Sequence, residues 1–269
     1  MKWKIMLTSI PIALVIVVVK LSLLEFFKFP GLVELSDIAL IVSAGVFLIG
    51  FMLAGTMADY KESERIPGEI ASALESIEET CILLADRPNF PFKTVYESCH
   101  HTAQRIHDWF YKKISTEEMF GALTSLKEMF VNLERAGANP SIMSRSLNEL
   151  SSLRRVLTRT NVISKTGFLA TGYALLEVLL VVITGVMLIV KFKHEIAAIV
   201  VVFFISLVYI YMYKLIRDID DPFEHSEDDS AGAAEVALFP LQEYIERLEK
   251  RIKIQEQLDN KASSTSSVA

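Results

Sequence analysis

Apolar residues run almost unbroken through four stretches of the chain: Ile5 to Val19, extended past Lys20 to Phe27; Ile38 to Ala58; Thr166 to Val190; and Ile196 to Tyr213. Each reaches or approaches the roughly 20 residues that a helix needs to cross the ~30 Å hydrocarbon core of a bilayer. Four membrane-spanning helices are therefore predicted, two towards each end of the chain. Between them the pattern becomes amphipathic. After Pro67, which suits a helix start, Ile70, Leu74, Ile77, Cys81 and Leu84 recur at helical spacing until Asp86-Arg87-Pro88 ends the pattern. A second helix follows Pro91 and carries Val95, Ile106, Trp109 and Phe110. Ser115 with Glu118 forms the signature of a capping box for a third, which reaches Arg135 before Ala136-Gly137-Ala138-Asn139-Pro140. A fourth runs from Ser141 towards Lys165, where it can continue directly into the third apolar stretch. Beyond the last stretch, Asp218 to Ala234 reads as irregular, Phe239 to Lys261 as an amphipathic helix, and the Ser-rich end as disordered.

Composition agrees with a bilayer environment, because 52% hydrophobic residues and a mean hydropathy of +0.38 exceed what an ordinary soluble domain carries. Lys2 and Lys4 before a short apolar core resemble a signal peptide, but no small-x-small cleavage site follows. The first stretch is expected to remain as an anchor, with the Lys20 amine snorkelling to the outer interface. Cys81 and Cys99 are the only cysteines, which fits a reducing cytoplasm and no disulfide framework.

Charge sets the orientation. Lys2, Lys4, Lys61, Arg65, Arg154, Arg155, Arg159, Lys165, Lys214 and Arg217 flank the ends that face the termini and the central segment. The opposite connections hold only Lys20, Lys28, Lys191 and Lys193. Both termini and residues 59–165 are thus expected on the cytoplasmic side of a cell (inner or plasma) membrane. Residues 218–269 hold 13 acidic and five basic residues, so a net −6 overall divides into −8 for this tail and +2 for the rest. The organisation reads as two spans in 1–58, a helical cytoplasmic domain in 59–165, two spans in 166–217 and an acidic tail in 218–269. The fold class is all-α.

Catalytic patterns do not emerge. The sequence has no Gly-rich phosphate loop, no His-x-x-x-His pair and no nucleophile elbow, so the chain is not read as an enzyme. Cys99-His100-His101 with His107 matches no established ligand spacing, and packing is the expected role. Arg154, Arg155 and Arg159 beside a span are expected at lipid headgroups; nucleic acid is not expected as a partner.

Three segments carry a family resemblance. "GFMLAGTMADYKESERIP" (50–67) resembles the bestrophin passage in which a Gly-Phe pair ends the pore-lining part of the second span and a Tyr/Glu-rich stretch leads to Pro. "NPSIMSRSLNELSSLR" (139–154) resembles the bestrophin Pro followed by Leu-Asn-Glu-(Met/Leu)-x-x-Leu-Arg. "DIDDPFEHSEDD" (218–229) is similar to the Asn-Pro-Phe and acidic cluster after the fourth span. The matches occur in the family's order and point to its prokaryotic and plant branch.

The resemblance implies a homopentameric ion channel, usually anion-selective, with one pore lined by the second span of each subunit. It places the hydrophobic neck at Ser43, Phe47 and Phe51, which four-residue spacing puts on one helix face. Anchoring the register on Pro67 instead gives Val42, Val46 and Gly50. Gly45, Gly50 and Gly55 would let neighbouring helices approach, and Ser43, Gly50 and Thr56 supply part of a small, polar stripe. The cytoplasmic aperture falls on Ser141 and Ile142, with a helix cap at Ser141 as the alternative. Asp218 and Asp221 match carbonyl donors of the family's calcium site and Asp229 a carboxylate ligand. Ser226 replaces the second carboxylate, and few residues precede the first span, so calcium is expected to bind weakly and activity to be independent of it. Glu177, twelfth in the third stretch, is expected either to be hydrogen-bonded between helices, with hydroxyls such as Thr171 and Thr184 near it, or to border the pore and favour cations. A cation-selective channel and a non-conducting membrane sensor or scaffold are the alternative readings.

Overall fold

A computed structural model of the protein describes residues 3–29, 31–83, 91–166, 170–223 and 234–266. Nine α-helices and one pair of two-residue strands are found among them. In chain order they are α1 (Lys4–Glu25), β1 (Val33–Glu34), α2 (Leu35–Ser63), α3 (Ile66–Ile82), α4 (Phe92–Phe110), α5 (Thr116–Arg135), α6 (Pro140–Lys165), α7 (Ala170–Ile189), β2 (Val190–Lys191), α8 (Glu195–Asp220) and α9 (Phe239–Ser266). The chain is an all-α, multi-pass membrane protein, with α1, α2, α7 and α8 long and apolar enough to cross a bilayer. It divides into two compact units: residues 1–61, 166–222 and 231–235, and residues 62–165, 223–230 and 236–269.

The first unit is the bundle of spans. α1 packs chiefly on α8, and α7 lies against both. Val17, Ile38, Ile49, Met52, Leu176, Ile183, Met187, Val202, Tyr209 and Ile216 form its buried centre. Pro11 interrupts the hydrogen-bond ladder of α1, and close by the Lys214 ammonium donates to the Thr8 carbonyl oxygen at 2.9 Å.

The strands were not foreseen. Val33 pairs with Val190 and Glu34 with Lys191 in parallel. Gly31 precedes β1 with φ +91°, and a Cβ there would lie 2.7 Å from the Lys191 nitrogen, so only glycine fits. Lys20 departs from expectation as well. Its ammonium does not snorkel; it is buried, donating to the Leu188 and Val190 carbonyl oxygens at 2.8 and 2.6 Å. The last carbonyls of a helix have no intrahelical donor, and a buried cation satisfies them with a charge-assisted bond.

The second unit packs α3 on α6 and sets α4 between α5 and α9. The predicted spacing becomes its core: Ile70, Leu74, Ile77, Cys81, Val95, Cys99 and Ile106 are all buried, with Met119, Leu123 and Leu126 of α5 and Leu153 and Leu157 of α6. The capping box is complete, Ser115 Oγ accepting from the Glu118 N–H at 3.2 Å while a Glu118 carboxylate oxygen accepts from the Ser115 N–H at 2.8 Å. These bonds hold the Glu118 carboxyl below the usual carboxylate range. At α6 the cap is Asn139 rather than Ser141, since Asn139 Oδ1 accepts from the Ser141 N–H at 2.9 Å.

The tail holds more helix than expected. α8 continues through Asp220, and α9 continues past Lys261 into the Ser-rich end as far as Ser266. Its buried residues Leu241, Tyr244, Ile245 and Leu248 recur at helical spacing and set it against α3 and α4; a helix packed along one face propagates beyond the contact at little extra cost. Whether α6 continues into α7 lies outside the described residues.

Candidate functional site

α2 has two faces of different character. Ile38, Gly45, Ile49, Met52 and Thr56 follow helical spacing and are buried. On the other side Leu40, Ser43, Phe47, Phe51, Ala54 and Ala58 are exposed, Phe47 by 77% and Phe51 by 70%. Ser43, Phe47 and Phe51 thus share one uncovered stripe. Of the alternative register, Val46 and Gly50 are exposed and Val42 is half-buried against the bundle core. Thr56 does not extend the small, polar stripe. It is buried, thirteen residues on and so about 140° from Ser43 around the axis, and its hydroxyl donates within α2 to Met52 and Leu53 carbonyl oxygens, both at 3.2 Å.

The buried face is anchored by a residue that the sequence reading did not single out. Tyr209 of α8 is 2% exposed, and its hydroxyl donates to the Val42 carbonyl oxygen at 2.6 Å. It passes directly beside Gly45, where a Cβ would meet the Tyr209 hydroxyl at 2.5 Å and Leu179 at 3.2 Å. Gly45→Ala is therefore expected to force the phenol off Val42 and to cost about 1–3 kcal/mol, as overpacking does. Thermal melting in detergent checks this; an unchanged midpoint would show that the phenol has room to move.

Glu177 is exposed on α7, and its Oε1 accepts from the Tyr213 hydroxyl of α8 at 2.9 Å. The hydroxyl is thus supplied by Tyr213 in place of the expected Thr171 or Thr184. Ser141 is exposed and Ile142 half-buried in the first turn of α6. Asp218 lies in the last turn of α8 and Asp221 caps it, both half-buried; Asp229 falls outside the described residues. Among the described residues no three His, Cys, Asp or Glu side chains gather as a metal site would require. His100 Nε2 lies 3.5 Å from Glu249 Oε1, and the His107 ring packs at a tilt of 43° on Tyr111, with centroids 4.8 Å apart, and meets Gln242 Nε2 at 3.3 Å.

A second polar cluster, also unforeseen, joins α9 to α3. Glu78 is fully buried, accepting from the Tyr244 hydroxyl at 3.2 Å and pairing with Arg251. Arg247 bonds Glu75 beside it at 3.2 Å. Burial pushes the Tyr244 phenol well above its ordinary range, so it stays a donor. The signal in the sequence is Glu78 four residues after Leu74, on the apolar face of its helix.

No protein-family model matches the chain, and no curated protein matches it in sequence. Solved structures do match it. A bacterial bestrophin homolog from Klebsiella pneumoniae superposes with a TM-score of 0.70 at 12% identity, over 92% of this chain and 97% of that one. A point variant of such a homolog gives 0.73 at 13% identity over 94% and 99%. A further structure, described as a membrane protein, gives 0.72 at 14% identity over 93% and 96%. At these identities the likeness is one of fold, and it extends over nearly the whole chain.

Proposed function

We propose that the protein is a bestrophin-like ion channel, a homopentamer in which α2 of each subunit lines a central pathway for chloride or other small anions. The observation that carries this reading is the uncovered stripe on α2, where Phe47 and Phe51 stand one turn apart below Ser43 while the opposite face is packed. Five copies of that stripe around an axis would form a narrow apolar neck, which gates by excluding water. Gly50 and Ala54 on the same side leave room for neighbouring helices to approach. Ser141 and Ile142 form the cytoplasmic aperture, wider or more polar than a bulky apolar residue would make it. Asp218, Asp221 and Asp229 would hold calcium only weakly, so currents are expected without it. Both termini lie in the cytoplasm, and the protein sits in the cell (inner or plasma) membrane. Planar-bilayer recording of the purified full chain under asymmetric KCl tests the reading. Unitary currents reversing near the chloride equilibrium value support it, and their absence favours the non-conducting sensor or scaffold.

Glu177 separates anion from cation selectivity. A carboxylate bonded to Tyr213 at 2.9 Å is held by its own bundle, which supports a packing role. Glu177→Gln is then expected to leave the reversal potential unchanged at several pH values. A shift of that potential towards chloride would place the charge beside the pathway and make the cation-selective reading the correct one.

A further inference from the structure

A cleft of about 250 Å³ opens between the start of α3 and the second half of α6, lined by Glu62, Arg65, Ile66, Glu69, Arg155, Val156 and Arg159. Three guanidinium groups converge there. Arg159 is fixed by a bidentate pair with Glu62, Nε to Oε1 at 2.8 Å and Nη2 to Oε2 at 2.9 Å. That pair neutralises Glu62, leaving Arg65 and Arg155, both exposed, against Glu69. Neither Arg65 nor Arg155 has an ion pair among the described residues. The first turn of α3, whose N-cap is Arg65, adds the positive end of its dipole.

Depth along the chain gives the cleft its partner. The apolar stretch of α2 ends at Ala58 and the helix continues to Ser63, so Glu62 lies only about 6 Å further along the axis at 1.5 Å per residue. A headgroup layer of roughly 5–8 Å covers each side of the hydrocarbon core, and Glu62 and Arg65 fall within or beside it. Guanidinium forks match phosphate oxygens in geometry as well as charge. Glu69, the remaining carboxylate, is unsuited to a bare anion and matches an amine.

We propose that this cleft binds the headgroup of an aminophospholipid, its phosphate held by Arg65 and Arg155 and its amine facing Glu69. Arg159, held in place by Glu62, forms the wall. The site is independent of ion conduction and stands whether or not the protein is a channel.

Native mass spectrometry of the full chain in detergent, titrated with short-chain phosphatidylethanolamine, phosphatidylglycerol or diacylglycerol or with inorganic phosphate, tests it. Saturable binding of phosphatidylethanolamine is expected, at least tenfold weaker in Arg65→Gln/Arg155→Gln. The Arg65→Lys/Arg155→Lys variant, which keeps the charge but loses the fork, should fall between. Glu69→Gln should remove the preference for phosphatidylethanolamine over phosphatidylglycerol. Unchanged affinity in the Gln double variant at an unchanged melting temperature, or equal binding of diacylglycerol, would overturn the proposal. Equal affinity for inorganic phosphate would keep a phosphate site and overturn the lipid as its occupant.

Discussion

Replacing Phe47 and Phe51 together with alanine is expected to raise single-channel conductance several-fold or abolish gating, while leaving the protein folded. Both expectations follow from where the rings stand. With 77% and 70% of their surface uncovered in the protomer, their removal opens no cavity in the bundle, and exposed positions of this kind usually change stability by no more than about 0.5 kcal/mol. A neck five rings wide at two levels would instead lose its apolar constriction and become wet. Ile49, between them in sequence but 7% exposed on the packed face, provides the contrast. Ile49→Ala should cost about 2–5 kcal/mol through lost burial and a cavity and change conductance little in whatever fraction folds. Unchanged currents in a well-folded Phe47→Ala/Phe51→Ala protein would reject this register and favour Val42, Val46 and Gly50.

The largest effect on stability is expected from Tyr244→Ala. Tyr244 is wholly buried where α9 meets α3 and α4, and its hydroxyl is one of two groups that satisfy the buried Glu78 carboxylate. Loss of a buried aromatic side chain costs about 3–5 kcal/mol, and the partly unsatisfied carboxylate adds to it. Tyr244→Phe keeps the ring and should cost only about 1–2 kcal/mol, since Arg251 still answers Glu78. Hydrogen exchange reads the difference: amides from Leu241 to Leu248 should lose protection in Tyr244→Ala and largely keep it in Tyr244→Phe. Equal protection in both would mean that α9 is held by its salt bridges, with Arg247 to Glu75 and Lys93 to Glu256 as the principal contacts.

What the sequence reveals and what it conceals divide by range. The four spans, the helix start at Pro67 and the capping box at Ser115 depend on neighbours within a turn or two, and they stand as expected. Lys20, Tyr209 and Glu78 have partners far away along the chain, at Leu188 and Val190, Val42, and Tyr244 and Arg251. Nothing local distinguishes a lysine that caps a distant helix from one that reaches the interface. The same holds within the candidate site. Periodicity alone puts Ser43, Phe47 and Phe51 on one face of α2, but that this face is the uncovered one, and that Thr56 belongs to the other, depends on how α7 and α8 pack.

Modification of a cysteine placed at Phe47 tests the central claim most directly. The native thiols are buried, and burial pushes the Cys99 thiol well up, so a charged, water-soluble thiosulfonate has no native target in the folded protein. Only thiols reached by water ionise and react readily. Phe47→Cys channels recorded in a planar bilayer should lose most of their current when the reagent is added, whereas Val181→Cys, on an exposed apolar position of α7, should be unaffected. Current through Phe47→Cys that persists after the reagent, at a position accessible enough to be labelled, would contradict a pathway lined by this face of α2.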